Sequence, residues 1–200
     1  MLGRAELPGR PAWGLWRGDI KIFQLRRCLK SSEGPAYRAD GVWRLRPVGG
    51  RVEVKLAGVG GQGVVLAGHI LALGAFYDGK WVVCTQAYSA RVRGGPVEAD
   101  VLISERRIGY PFVRRPDILV VLAEPGFRFA RSLAEDGLLI TDTSLSKLAE
   151  RYEARRLVLP LFKTAEEVCG SPSVANMVVL GALVAYTGLV SDGSMRKAIR

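Results

Sequence analysis

The stretch Val52-Glu-Val-Lys-Leu-Ala-Gly-Val-Gly-Gly-Gln-Gly63 constrains this chain more than any other. Val52 to Val59 reads as a strand. Gly58, Gly60 and Gly63 then stand in a GxGxxG register, with Gly61 added, and Val64 to Tyr77 reads as the helix that follows. Strand, glycine turn and helix in that order open a doubly wound α/β domain and can cradle a phosphate. Glycine accepts positive φ and lets backbone N–H groups approach a ligand. The helix start adds unpaired N–H groups and the positive end of the helix dipole. An anion, phosphate or carboxylate, is therefore expected near Gly60 to Gly63. The alternative is a tight turn that holds no ligand.

The elements downstream keep alternating. Asp78-Gly79 ends the first helix, and Lys80 to Gln86 is rich in β-formers. Val97 to Ser104 reads as a strand, and Pro116 to Ala123 as a continuous apolar run of the parallel-sheet kind. Glu124 to Leu133 reads as a helix with Pro125 in its first turn, Leu138 to Asp142 as a strand, and Ser144 to Arg151 as a short polar helix. Ala154 to Leu161 reads as a further strand, ending at Pro160. Thr164-Ala-Glu-Glu167 looks like a helix start, and Ser173 to Leu189 like the last main helix. This order predicts an α/β fold, a three-layer doubly wound and mostly parallel sheet of Rossmann-like type.

Charge divides the chain. Residues 1–51 hold 11 Lys+Arg against 4 Asp+Glu, a balance of +7, while residues 52–200 hold 18 against 15, a balance of +3. The first 51 residues are read as a basic, irregular N-terminal extension, or a gene-start artefact, and 52–200 as the α/β domain. Tryptophans among the arginines of that extension suit base stacking, but no single-strand binding module is legible there. Nucleic acid is disfavoured as a partner.

Several chemistries are excluded. Cys28, Cys84 and Cys169 are far apart with no CxxC, so this chain alone builds neither an iron–sulfur cluster nor a structural zinc site. Three scattered thiols fit a reducing cytoplasm. His69 is the only histidine and is read as an ordinary helix residue. No apolar signal segment opens the chain. Leu56–Tyr77 and Val168–Ser191 lack charge over a membrane-spanning length, but their glycines, polar residues and turn signals favour a buried strand-turn-helix and a buried or interface helix. A nicotinamide site needs an acid at the end of the second strand, where Cys84-Thr85-Gln86 stands instead.

The loop Gln86-Ala-Tyr-Ser-Ala-Arg-Val-Arg-Gly-Gly-Pro96 carries the most chemistry. Its arginine forks, Arg91 and Arg93, suit carboxylate or phosphate oxygens, and Gly94 and Gly95 allow close backbone approach. A surface turn between strands is the plainer alternative.

Four motifs in order resemble one family. Gly58-Val-Gly-Gly-Gln-Gly63, Arg93-Gly-Gly95, the Pro116-Asp-Ile-Leu-Val strand, and Ser173-x-x-Asn176-Met with Leu180-Gly181-Ala182 are similar to the gamma subunit of 2-oxoacid:ferredoxin oxidoreductases, from about Val52 to Val190. The resemblance implies a multisubunit enzyme that oxidatively decarboxylates a 2-oxoacid such as pyruvate or 2-oxoglutarate, passes electrons to ferredoxin and forms an acyl-coenzyme A. It implies thiamine diphosphate, magnesium and iron–sulfur clusters in alpha, beta and ferredoxin-like delta partner subunits, with coenzyme A at or near this chain. The chain agrees, since it shows no GDG…Asn thiamine diphosphate motif. The residues expected to serve anion or coenzyme A binding are Gly58, Gly60, Gly61, Gln62 and Gly63, then Arg93, Gly94 and Gly95, with Asn176 as a motif position or a local cap. Arg91 is added from its charge alone. The isolated chain is expected to be inactive. The indolepyruvate oxidoreductase small subunit and a free-standing nucleotide or coenzyme A binding module remain alternatives. The extension before Val52 and the Pro96-Val-Glu-Ala that follows Arg-Gly-Gly depart from the family pattern.

Overall fold

The computed structural model describes residues 50–89 and 94–200. Six strands form one sheet in the order β2-β3-β1-β4-β5-β6. They are β1 (Arg51–Val59), β2 (Trp81–Tyr88), β3 (Pro96–Ser104), β4 (Ile118–Val121), β5 (Leu138–Asp142) and β6 (Arg155–Leu159). The helices are α1 (Val64–Tyr77), α2 (Ser146–Ala149), α3 (Leu161–Cys169), α4 (Ala175–Thr187) and α5 (Asp192–Ile199).

β1, β4, β5 and β6 pair in parallel, and the continuous apolar run of β4, Ile118-Leu-Val-Val121, suits a strand covered on both faces. β3 runs antiparallel to both β1 and β2. β1 and β2 therefore point the same way, with β3 wedged between them in the opposite sense. The sheet is mixed, and its parallel majority lies on the β4 side. α1 makes the crossover from β1 to β2 over the wedge. Gly68 permits that packing, because a Cβ there would lie 2.8 Å from the Ala99 methyl.

Alternate strand residues feed two cores. Val52, Val54 and Leu56 of β1 join Val101, Ile118, Val120 and Ile140 under α1 and α4. Leu119, Val121 and Leu139 face the other way, against Phe127, Ala130 and Ala149. This is the expected three-layer arrangement.

Some local readings are corrected. Residues Glu124–Ser132 wind as a 3-10 helix, not an α-helix. Gly126 packs against the sheet where a Cβ would sit 2.9 Å from the Ala57 methyl, which holds this segment close to β1. Thr164 is buried inside α3, which starts at Leu161, directly after Pro160. The last long helix is shorter than expected, with Pro172–Val174 as a 3-10 turn before α4, and Gly188 ends it at φ 63°. A further helix, α5, follows. Its Ser191 cap accepts from the Ser194 amide, and Ser191 also bonds Asp78 through both its amide and its hydroxyl, each at 2.6 Å. That pair ties the chain's last helix to the end of α1.

One face of α1 is apolar and uncovered: Leu66 is 53% and Phe76 64% exposed, with Leu73 and Tyr77 beside them. Trp81 at the start of the edge strand β2 is exposed too. Among the described residues no single helix is long and apolar enough to cross a membrane; α3 and the Pro172–Thr187 stretch pass only as a pair bent by 118°.

Candidate functional site: the glycine turn and the hairpin loop

The turn between β1 and α1 is built from residues that cannot be larger. A Cβ on Gly58 would lie 2.5 Å from the Gln62 side-chain oxygen and 2.9 Å from Val64 Cγ2. Gly61 and Gly63 adopt φ of 100° and 68°, which L side chains avoid. A Cβ on Gly63 would also collide with the Asn176 amide.

Two amides brace the turn. Gln62 points inward: its oxygen accepts from the Val59 amide at 2.9 Å, and its Nε2 donates to the Leu122 carbonyl at 2.9 Å. It thus fastens the turn to the end of β4. Asn176, at the start of α4, is buried; its Nδ2 donates to the Gly63 carbonyl at 3.2 Å, and its oxygen accepts from the Met177 amide. It serves both as a local cap and as a clamp on the turn.

The hairpin brings the second motif to the same place. β2 ends and β3 begins beside the end of β1, because β3 returns antiparallel. The Gly60 amide donates to the Gly95 carbonyl at 2.9 Å, joining the glycine turn to the Arg-Gly-Gly loop. Gly94 has φ 71° with open space around it. Arg91 and Arg93 lie outside the described residues.

Between turn and hairpin opens a cavity of about 400 Å³, lined by Gly60, Gly61, Gly63, Val64, Val65 and Tyr88, with Val59, Ser89 and Val97. That volume falls within the usual range for small-molecule sites. The amides of Gly61, Gly63, Val64 and Val65 donate to no partner among the described residues. Those of Gly63, Val64 and Val65 are the unpaired donors of a helix start, and no side chain caps them; Gly61 lies in the turn before it. Such a cluster favours an anion. α1 and the Glu124–Ser132 segment leave β1 and β4 on opposite faces, so the topological switch point lies between those two strands, while the cavity opens on the other side of β1, toward the β2–β3 hairpin. Tyr88, Ser89 and Val65 were not among the site residues expected from sequence, although Tyr88 and Ser89 lie in the loop singled out there. Only the antiparallel pairing of β2 with β3 places the first two here.

Behind the turn, on the sheet face away from α1, lies a buried ionic cluster that the sequence did not reveal. Lys55 Nζ bonds Glu98 at 3.0 Å and Asp100 at 2.5 Å, and sits 4.4 Å from the Phe129 ring centre. Arg128 reaches Glu98 at 3.2 Å. Burial pushes the Asp100 carboxyl up, against the pull of Lys55. The Cys84 thiol is also pushed up by burial, with the Asp100 charge adding to it, so it is a poor nucleophile at neutral pH. No group of three or more His, Cys, Asp and Glu able to hold a metal occurs among the described residues.

Residues 53–200 match the family model described as pyruvate ferredoxin/flavodoxin oxidoreductase. The 2-oxoglutarate synthase subunit KorC of Methanothermobacter thermautotrophicus is 41% identical over 158 residues, which cover 75% of this chain and 84% of that protein. The gamma subunit of a keto/oxoacid ferredoxin oxidoreductase from Geobacter sulfurreducens superposes with a TM-score of 0.65 at 35% identity, over 75% of this chain and 83% of that one. The 2-oxoglutarate:ferredoxin oxidoreductase of Magnetococcus marinus, solved with 2-oxoglutarate, coenzyme A and succinyl-CoA bound, shares the fold at 19% identity and a TM-score of 0.64, over 74% of this chain and 26% of that one. With the family model matched over residues 53–200, a KorC relative 41% identical and a gamma-subunit structure superposing at a TM-score of 0.65, the chain belongs to the pyruvate ferredoxin/flavodoxin oxidoreductase family, as a gamma-type subunit of a 2-oxoacid:ferredoxin oxidoreductase.

Proposed function

We propose that this subunit holds the phosphate-bearing end of coenzyme A in the cavity between the glycine turn and the hairpin, while the decarboxylation and electron-transfer groups belong to companion subunits. The observation that carries this is the set of unpaired amides at Gly61, Gly63, Val64 and Val65 on one wall of the cavity. Gly58, Gln62 and Asn176 shape the turn from behind. Gly60 and Gly95 hold the hairpin against it, and Arg91 and Arg93 add guanidinium forks from the loop. The fit is chemical as well as steric: backbone donors and a helix start suit phosphate oxygens. A thioester-forming carrier supplies the acyl acceptor when bound. This chain's share is to bind and orient it.

The partners are alpha and beta subunits carrying thiamine diphosphate and magnesium, and a ferredoxin-like delta subunit or ferredoxin with iron–sulfur clusters. The uncovered apolar face of α1, Leu66, Leu73 and Phe76, suits a permanent subunit contact, since such contacts resemble a protein core. We place the enzyme in the cytoplasm, where the free thiols Cys84 and Cys169 stay reduced.

Val65→Asp tests this. An acid in the first turn suits the helix dipole, so the fold is kept, but the carboxylate projects toward the cavity and repels an anion. In the assembled enzyme the KM for coenzyme A should rise about tenfold or more, equivalent to about 1.4 kcal/mol of binding. Arg93→Ala should weaken coenzyme A use or assembly by a similar amount, since a charged hydrogen bond contributes about 1.5–3 kcal/mol. An unchanged KM for coenzyme A in both variants would remove this cavity as its site.

A further inference from the structure

The end of the sheet farthest from the glycine turn carries a second positive surface, made of side chains. The loop Glu105-Arg-Arg-Ile-Gly-Tyr-Pro-Phe-Val-Arg-Arg115 has four arginines and one acid, a balance of +3. All four arginines are exposed, as are Tyr110 and Phe112. The backbone is nevertheless pinned. Glu53 accepts from the amides of Arg114 at 2.9 Å and Arg115 at 3.3 Å, and Arg51 donates to the Phe112 carbonyl at 3.3 Å. Tyr110 and Phe112 meet edge to face with ring centres 5.5 Å apart, and Arg114 lies over Tyr110 at 4.5 Å.

The acid nearest the loop root is thus spent on backbone amides and on Arg51. The guanidinium groups of Arg106, Arg107 and Arg115 make no ion pair among the described residues. An ordered loop with a paired aromatic centre and unneutralised arginines around it is the anatomy of a protein-binding surface. Permanent subunit contacts are depleted of charge at their core. Unneutralised surface charge instead speeds encounter with a partner of opposite sign.

We propose that the Glu105–Arg115 loop docks an acidic protein, and that its occupant is the small anionic redox carrier this enzyme reduces. The proposal rests on the function stated above, which supplies such a carrier. Electron-transfer encounters bury little area and rely on charge complementarity, and the loop offers both: a small aromatic anchor and a positive rim.

The test uses the assembled enzyme with an acidic ferredoxin and, separately, a small viologen dye as acceptor. Arg106→Glu with Arg107→Glu should lower kcat/KM for ferredoxin about tenfold at low salt and flatten its salt dependence. The rate with viologen should be unchanged, and the Arg106→Lys, Arg107→Lys pair should behave like wild type. Equal ferredoxin kcat/KM in wild type and the charge-reversed enzyme, with viologen activity intact, overturns the proposal. A wild-type enzyme that reduces neither acceptor from any 2-oxoacid defeats the functional assignment itself, and the proposal with it. In the wild-type enzyme, hydrogen exchange of residues 105–115 should slow when ferredoxin is added. No slowing, or slowing by polyuridylate alone, overturns it.

Discussion

At the C-terminal end of β1, negative charge is attracted by backbone: amides of Gly61, Gly63, Val64 and Val65 that no other group among the described residues uses. At its N-terminal end the same sign is attracted by side chains: the arginines at 106, 107 and 115 on a loop held down by Glu53. The first arrangement sits in a cavity and cannot be erased by exchanging one side chain for another, because its donors are peptide groups. The second stands in solvent, is screened by salt, and can be altered one residue at a time. Donors lining a cavity suit a ligand that stays through a turnover. Exposed charges suit a partner that arrives and leaves.

Between the two ends lies Lys55, and the largest effect is expected there. Lys55→Met leaves Glu98 and Asp100 without their buried cation and should cost about 3–5 kcal/mol near neutral pH, by chemical denaturation. Asp100, already raised by burial, favours its neutral form in the folded chain. That contribution is present below its ordinary value and is lost as pH rises through the raised one. With the lysine gone the loss grows, so the defect should shrink toward acid pH. A defect independent of pH would mean the cluster does not hold the strands as described.

At the backbone-built end, Gly63→Val meets both a positive φ and the Asn176 side chain. It should cost about 3 kcal/mol in total. Gly61→Val meets no neighbour and should cost only the conformational part, about 1–2 kcal/mol. Equal losses would blur the distinction between a clamped and an open position in the turn.

The side-chain-built end should respond more weakly. Asp117 accepts from the Glu53 amide at 2.7 Å, and burial raises its carboxyl, with the Glu53 charge adding to that. The folded chain therefore pays for its ionisation as pH rises. Asp117→Asn keeps an acceptor and should be more stable than wild type at neutral pH, with the advantage gone below about pH 4. Smallest of all, Glu53→Gln should cost about 1 kcal/mol and speed hydrogen exchange in residues 105–115, leaving the glycine turn unaffected. Faster exchange at the turn as well would show that the two ends are not independent.

Most of the fold was legible where local chemistry and topology agree. Gly63 and Asp78-Gly79 bound α1 at the predicted residues, and the unbroken apolar run of β4 marked a parallel strand. The sense of β3 was not legible. Alternation in Ala99, Val101 and Ile103 tells which face a residue takes, not which way its strand runs. The cavity wall at Tyr88 and Ser89 depends on that sense, and so was missed. Lys55 was missed for a related reason: its partners stand on another strand, and only the register Lys55 to Asp100 joins them. α5 is short and polar, and its one signal was the Ser191 cap. The glycine turn stood out in sequence because its constraint is steric and local, and Asn176 because it is an amide in an otherwise apolar helix start; the inward aim of Gln62 and the reach of Asn176 to Gly63 were not legible.

The bond from the Gly60 amide to the Gly95 carbonyl has a thermodynamic corollary. It is the seam between two peptide segments, one facing the cavity and one belonging to the hairpin that β3 forms with the edge strand β2. A subunit that settles on that strand and a molecule that enters the cavity both act on this seam. Any influence of one on the other must then be mutual and equal in free energy, so an assembly that tightens the grip on the acyl acceptor is itself tightened by the acceptor's arrival.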